Sequence, residues 1–252
     1  MDDVVSIMVV TYNRLELTRL TINGLAKSVN CPFNLIIIDN ASTDGTIGYL
    51  ADFVDFKNEY LRKIEVRYNS ENKGIAYARN QALSIALEFG GNWFCTIDND
   101  VSMPHGWLSE CIDILKNTSS FAAIGVNMEG TPYPIHNLNG KEFQVKPAGN
   151  LGTACMCFGL PIHKMLGFFN YKDYGIYSCD DADFGARIRA VGLKLGYIKE
   201  MGTHLGDNEV GEYREWKTSM HKKTLSKFKQ NCSDYFNRKI PLYISFKEDI
   251  NA

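Results

Sequence analysis

An α/β fold with a mostly parallel central sheet flanked by helices is the architecture this chain predicts, and three observations carry it. Apolar runs of strand length alternate with segments of helical spacing over the first hundred residues. The runs read as buried strands, and nearly all of them end on a polar cluster. Such alternation calls for parallel pairing through right-handed crossovers. In order, Val4–Val10 is β-branched and strand-like, and Leu15–Leu25 spaces Leu17, Leu20 and Leu25 as a helix does. Phe33–Ile38 is a second strand, 46–56 a helix, and Ile64–Tyr68 a third strand. Lys73-Gly74 leads into an Ala-rich helix, Ile75–Phe89, which runs into a strand at Trp93–Ile97. Beyond it, Ser109–Lys116 reads as a helix, Ala122–Met128 as a strand, and the Gly-, Pro- and Asn-rich stretch Thr131–Asn150 as an irregular loop. Gly152–Leu160 reads as a strand passing close to a ligand, Asp180–Val191 as a helix opening with acids, and Tyr213–Phe236 as a basic amphipathic helix.

With 252 residues, 45% hydrophobic and 22% charged, the chain can bury a full core. No run approaches the roughly 18 apolar residues of a membrane span. Met1-Asp2-Asp3 lacks the basic region of a secretory signal. The seven cysteines are scattered, without a C-x-x-C pair, and predict reduced thiols in a cytoplasmic protein rather than a disulfide framework or zinc site. The net charge of −2 hides an asymmetry. Residues 213–239 carry eight Lys/Arg against Glu215 and Asp234, a net of +6, and 240–252 carry −1, leaving −7 for 1–212. An acidic body with a basic tail predicts an anionic partner near the tail.

Ligands bind parallel sheets at the carboxyl ends of the strands, where the polar clusters lie. The cluster after the Trp93 strand, Asp98-Asn99-Asp100, is the most telling. Alternate side chains of a strand share a face, so the two acids converge if the chain stays extended, or flank a point if it turns. Paired carboxylates suit a hard divalent cation shared with phosphates. Asp-Asn-Asp is also good turn chemistry, and the triplet alone leaves both readings open.

The order of motifs adds to this. Val5–Arg14, the run Ile37–Thr46, Asn72-Lys73-Gly74 with Ala78-Arg79-Asn80, Asp98-Asn99-Asp100, Asp180–Arg187 and Gly202-Thr203-His204 resemble, in that order, the elements of family 2 glycosyltransferases of the GT-A fold. The resemblance spans roughly 4–206, and Asp39–Asp44 is closest to a bacterial subgroup with many rhamnosyl- and glucosyltransferases. It implies a nucleotide-binding half at about 1–101, an acceptor half at about 102–212, and a basic helical extension at 213–252. It implies a hexosyltransferase, inverting and metal-dependent, that moves a sugar from a UDP- or dTDP-linked donor to an acceptor hydroxyl.

Residue by residue, the resemblance implies Mn2+ or Mg2+ held by Asp100 and Asp98, with His204 completing the shell or touching the diphosphate. Asp39 would accept from the base ring, Thr11, Asn13, Arg14 and Asn40 would line the nucleoside, and Lys73, Arg79 and Asn99 would complete the donor contacts. Asp181 is favoured as general base, with Asp180 the alternative, since the family has Glu-Asp where this chain has Asp180-Asp181. Crowding by Asp180 and Asp183 would raise its pKa. Without the family, these are ordinary helix-start acids. Trp107 reads as a sugar platform or a buried anchor. The acceptor is open among glycan, lipid-linked saccharide, protein and modified nucleobase, as is the oligomeric state. The helix over 213–239 reads as a solvated cap, or as a contact with a polyanion or an inner membrane face. A nucleotidyltransferase would need a Gly-rich basic signature after the first strand, which Thr11-Tyr12-Asn13-Arg14 does not supply. A catalytically dead nucleotide-sugar-binding module would be expected to lack one of Asp98, Asp100 and Asp181, and all are present.

Overall fold

The computed structural model describes residues 4–52, 56–128, 134–152, 154–206 and 211–248. The first hundred residues follow the predicted alternation: β1 (Val5–Thr11), α1 (Leu15–Ser28), β2 (Phe33–Asp39), α2 (Thr46–Ala51), β3 (Leu61–Tyr68), α3 (Ile75–Glu88) and β4 (Trp93–Ile97). The helix expected over 46–56 stops at Ala51, and 53–55 lie outside the described residues. β1 and β2 are buried along their whole length, which explains their continuous apolar character. Val5–Val9 of β1 sits in parallel register with Phe33–Ile37 on one side and Trp93–Ile97 on the other. One face packs on Ala76, Ala78, Ala82 and Ala86 of α3, small residues that let the helix approach closely. The other face meets α1 and, from α4 (Trp107–Lys116), the buried Trp107, Leu108 and Cys111.

β5 (Val101–Ser102), β6 (Phe121–Asn127), β7 (Ile135–Leu138), β8 (Lys141–Ala148), β9 (Cys155–Gly159), α5 (Leu160–Leu166), α6 (Asp180–Ala190), β10 (Lys194–Met201), β11 (Thr203–His204) and α7 (Glu212–Phe236) complete the chain. The nine-stranded sheet runs β3-β2-β1-β4-β9-β6-β10-β8-β7. This corrects the mostly parallel expectation. β3-β2-β1-β4 and β6–β10 pair parallel, but β9 lies antiparallel to both β4 and β6, and β8 pairs antiparallel with β10 and β7. Among the described residues no crossover helix intervenes between β6 and β9, and the strand returns in the opposite direction. Gly125 permits this insertion, because a Cβ there would stand 2.2 Å from the Cys155 carbonyl oxygen.

The irregular loop expected over Thr131–Asn150 is instead the β7–β8 hairpin, with residues 129–133 outside the described set. Its turn is Asn139-Gly140, both at positive φ (51° and 80°), which is the two-residue turn that matches strand twist. The seven cysteines are all free. Cys95, Cys155 and Cys157 meet beneath α4 as fully buried core thiols.

α7 buries Thr224 and Asn231 as well as Tyr235 of the expected apolar side, and half-buries Met220, Phe228 and Cys232. Trp216 is 41% exposed. α7 is anchored through polar groups on α6, where Tyr235 donates to Asp183 (2.7 Å), and on the segment before it, where Asn231 donates to the Tyr174 hydroxyl (3.0 Å). The segment after it returns to the body, where Arg187 donates to the Leu242 carbonyl (3.2 Å) and Phe246 packs edge-on against Tyr77. No helix among the described residues is long and apolar enough to cross a membrane.

Candidate active site

A cleft of about 1010 Å3 opens at the carboxyl ends of β1, β2 and β4, and α6 and α7 supply its other walls. Asn13, Arg14, Asn40, Arg79, Asp98 and Asn99 line it, together with Asp100, Asp180, Asp181 and His204. Thr11, Asp39 and Lys73 do not. Thr11 is buried, its hydroxyl bonded to that of Thr18 (2.8 Å), and Lys73 rests its ammonium over the Tyr77 ring (5.2 Å). Asp39 is fully buried. One oxygen accepts from Ser42 N (2.9 Å), and Oδ2 has no partner among the described residues. Trp107 is the buried anchor rather than the platform, donating to Ser28 Oγ (3.3 Å).

The acidic triplet turns rather than staying extended. Its middle residue causes this, since the Asn99 amide points inward and donates to Thr11 Oγ1 (3.1 Å) and Thr18 Oγ1 (2.9 Å). Asn99 is therefore a brace, and the two acids meet different cations. Asp98 accepts from Arg79 (2.8 Å) and Asp100 from Arg14 (3.0 Å). Arg14 is aimed by two consecutive left-handed residues, Asn13 (φ 55°) and itself (φ 65°), where β1 passes into α1. Asp44, bonded to Leu15 N (2.8 Å), holds that junction.

His204 reaches the site through a pairing that spans a hundred residues. The two-residue β11 pairs with β5, placing His204 opposite Val101, and Leu205 N donates to the Asp100 carbonyl (2.7 Å). The imidazole Nδ1 then lies 3.7 Å from Asp100 Oδ1. Burial disfavours a charge on Asp100, but His204 and the Arg14 guanidinium outweigh it and hold the carboxyl below its ordinary range. A carboxylate oxygen beside an imidazole nitrogen is a donor set that fits a divalent cation. Asp98 stands apart from this pair. Among the described residues the only three ligand atoms mutually within 4.8 Å are the core thiols.

α6 begins after Ser178 (φ 94°) and Cys179 (φ 64°), a strained left-handed pair that turns Asp180 and Asp181 toward the cleft. The two acids differ in circumstance. Asp180 is buried and ion-paired with Arg79, whose guanidinium thus bridges Asp98 and Asp180. Asp181 has no ion pair among the described residues, and its side chain accepts from Ala182 N (2.6 Å). Burial first, then the charge of Asp180, pushes its carboxyl up to about 6. Asp183 takes no part in that crowding, contrary to the expectation. It faces away into the α6–α7 junction, where Arg187 (3.2 Å) and the Tyr235 and Tyr174 hydroxyls compensate it.

Sequence reasoning missed Tyr177, Tyr213 and Lys217, which also line the cleft. The spacing 213, 216, 217 puts one helical turn on a single side, which was the available signal.

Residues 6–165, more than half of the chain, match the family described as Glycosyl transferase family 2. The chain belongs to that family. A glycosyltransferase described under teichuronic acid biosynthesis, TuaG of Bacillus subtilis (strain 168), is 28% identical over 132 residues, 51% of this chain and 50% of that protein. Among solved structures, the mannosyltransferase PcManGT from Pyrobaculum calidifontis, in complex with GDP-Man and Mn2+, superposes with a TM-score of 0.61 at 17% identity. The match covers 90% of this chain and 64% of that one. S. aureus TarS 1-349 in complex with UDP-GlcNAc gives a TM-score of 0.55 at 18% identity, covering 93% and 72%. The shared fold is GT-A. The chain spans half the length of TuaG and under two thirds of PcManGT.

Proposed function

We propose that this chain transfers a hexosyl unit from a nucleoside-diphosphate sugar to an acceptor hydroxyl, with inversion at the anomeric carbon. The observation that carries the reading is one cleft holding Asp181, raised to about 6, together with the cation-suited pair Asp100–His204. A carboxyl poised near neutrality, with no ion pair among the described residues, can take the proton of an attacking hydroxyl. Asp180 is less suited, since Arg79 holds it. A single base allows direct displacement, and hence inversion.

Asp100 and His204 would hold Mn2+ or Mg2+, which when bound would neutralise charge on the departing diphosphate, while Asp98, paired with Arg79, stands apart from them. PcManGT is described with Mn2+, in keeping with that choice. Arg14 is placed to share the same task, since it already lies against Asp100. UDP-linked sugars are the first choice and dTDP-linked ones the second, with UDP-GlcNAc bound by TarS in keeping with the first. We place the protein in the cytoplasm, peripheral to the inner membrane face where the acceptor is lipid-linked.

The test is release of nucleoside diphosphate from a panel of UDP- and dTDP-sugars, with and without Mn2+. Release that depends on Mn2+ and disappears in Asp100→Ala supports the assignment. Metal-independent turnover, or near wild-type turnover in folded Asp100→Ala, overturns the metal role.

A further inference from the structure

The α7 side of the cleft carries chemistry that donor binding does not require. Tyr177, Tyr213 and Trp216 form a continuous aromatic surface. The Tyr177–Trp216 ring centroids are 5.3 Å apart, and Tyr213 stacks on Trp216 at 5.9 Å with 16° between planes. Trp216 is 41% exposed, whereas Trp107 is fully buried. The Lys217 ammonium lies over the Tyr213 ring (4.6 Å) and the Tyr177 ring (5.9 Å); it makes no ion pair within 4 Å among the described residues, although its charge helps hold the Asp100 carboxyl down. Arg14 covers Tyr213 from its own position at 5.2 Å. Lys217 is thus a cation held on aromatic faces beside an open indole, in a cleft where Arg14 is paired with Asp100 and Arg79 with Asp98 and Asp180.

Resting on the reading of this cleft as a sugar-transfer site, we propose that this surface is an acceptor subsite for a saccharide bearing an anionic group, a carboxylate or a phosphate. The apolar face of a pyranose stacks on Trp216, and the anion meets Lys217. The ring faces fix the ammonium before the ligand arrives, so little side-chain freedom remains to be lost on binding. A neutral sugar would use the stacking surface and leave the ammonium unpaired. The subsite adjoins the proposed base, because Tyr177 lies in the field of Asp98 and Asp181. Burial and those charges together raise its hydroxyl above the ordinary range. Arg214, Lys222 and Lys223 continue the positive surface along α7, with Thr218 shared between the two regions.

Tryptophan fluorescence reads the subsite directly, since Trp216 is the exposed indole. With UDP and Mn2+ saturating the donor site, methyl β-D-glucuronide and glucose 6-phosphate are titrated against neutral methyl β-D-glucoside. The anionic ligands should quench at concentrations at least tenfold lower, on the order of 1.4 kcal/mol, and the better of the two identifies carboxylate or phosphate. Lys217→Gln should erase that preference while leaving UDP affinity, measured by calorimetry, within about twofold. Equal affinity for the neutral glycoside overturns the proposal. So does a Lys217→Gln variant that loses UDP instead, which would assign the ammonium to the donor diphosphate. Donor hydrolysis without acceptor is followed in parallel. Binding of anionic saccharides without nucleotide release would leave the subsite standing and sink the sugar-transfer reading; release without the preference would do the reverse.

Discussion

At the scale of single residues, environment separates acids that look equivalent in sequence. Asp180 and Asp181 are adjacent, yet one is neutralised by Arg79 and the other is left raised to about 6. A base must be ionised, so kcat/KM should fall as pH drops below about 6, and Asp181→Asn should remove both turnover and that acid limb. The stability consequence has the opposite sense. A carboxyl raised in the folded state binds its proton more tightly there than when unfolded, so its penalty is absent below pH 4 and grows as pH rises through 6. Asp181→Asn should therefore raise Tm at pH 7.5 and lose that advantage at pH 3.5; a lower Tm at pH 7.5 would refute the raised carboxyl. Arg79 is the reverse case. It is 3% exposed and compensates two acids, so Arg79→Met should cost roughly 3–5 kcal/mol in urea unfolding, the usual penalty for stripping one partner from a buried pair. That the acids share one cleft was legible from the order of motifs rather than from the acids alone, which also suit a turn and a helix start. Their partners were not, since Arg79 and Asp180 are a hundred residues apart.

Elements were legible where the signal is local. β1, β2 and β4 announce themselves by apolar runs whose carboxyl ends fall at the polar clusters, whereas β3 is charged and partly exposed. What sequence concealed is pairing. The β7–β8 hairpin reads as a loop because β7 is half-buried or exposed throughout and β8 buries only Phe143 and Val145, although Asn139-Gly140 is its turn signal. β11 is two residues long and exists only because β5 pairs with it, yet it positions His204. α7 is partly concealed for a related reason, in that hydrogen bonds from Asn231 and Tyr235 fix it alongside its half-buried apolar residues. Tyr235→Phe should then leave Asp183 less satisfied and destabilise by about 1–3 kcal/mol, with the loss seen first as early hydrogen exchange in α7. An unchanged exchange pattern would mean that the helix is held by something other than this junction.

Across the whole molecule, charge and topology point to the same place. The sheet delivers its polar ends to one cleft, and the basic α7 forms a wall of it, so a body of net −7 presents one positive face beside its reacting groups. An anionic acceptor approaching such a molecule is repelled over most of the surface and drawn to that wall, which raises its encounter rate without changing the chemical step. Screening lengths fall from about 10 Å at 0.1 M salt to about 3 Å at 1 M, so the attraction should weaken steeply over that range. Raising NaCl from 0.05 to 0.5 M should increase KM for an anionic acceptor several-fold on this argument, with kcat held within about twofold. Reversing Lys222, Lys223 and Lys229 to Glu should reproduce the high-salt KM at low salt, because these exposed lysines act through their field and touch neither donor nor base. Neutral acceptors supply the control: their KM should respond to neither treatment, and a parallel rise for them would trace the effect to donor binding or to loss of structure instead.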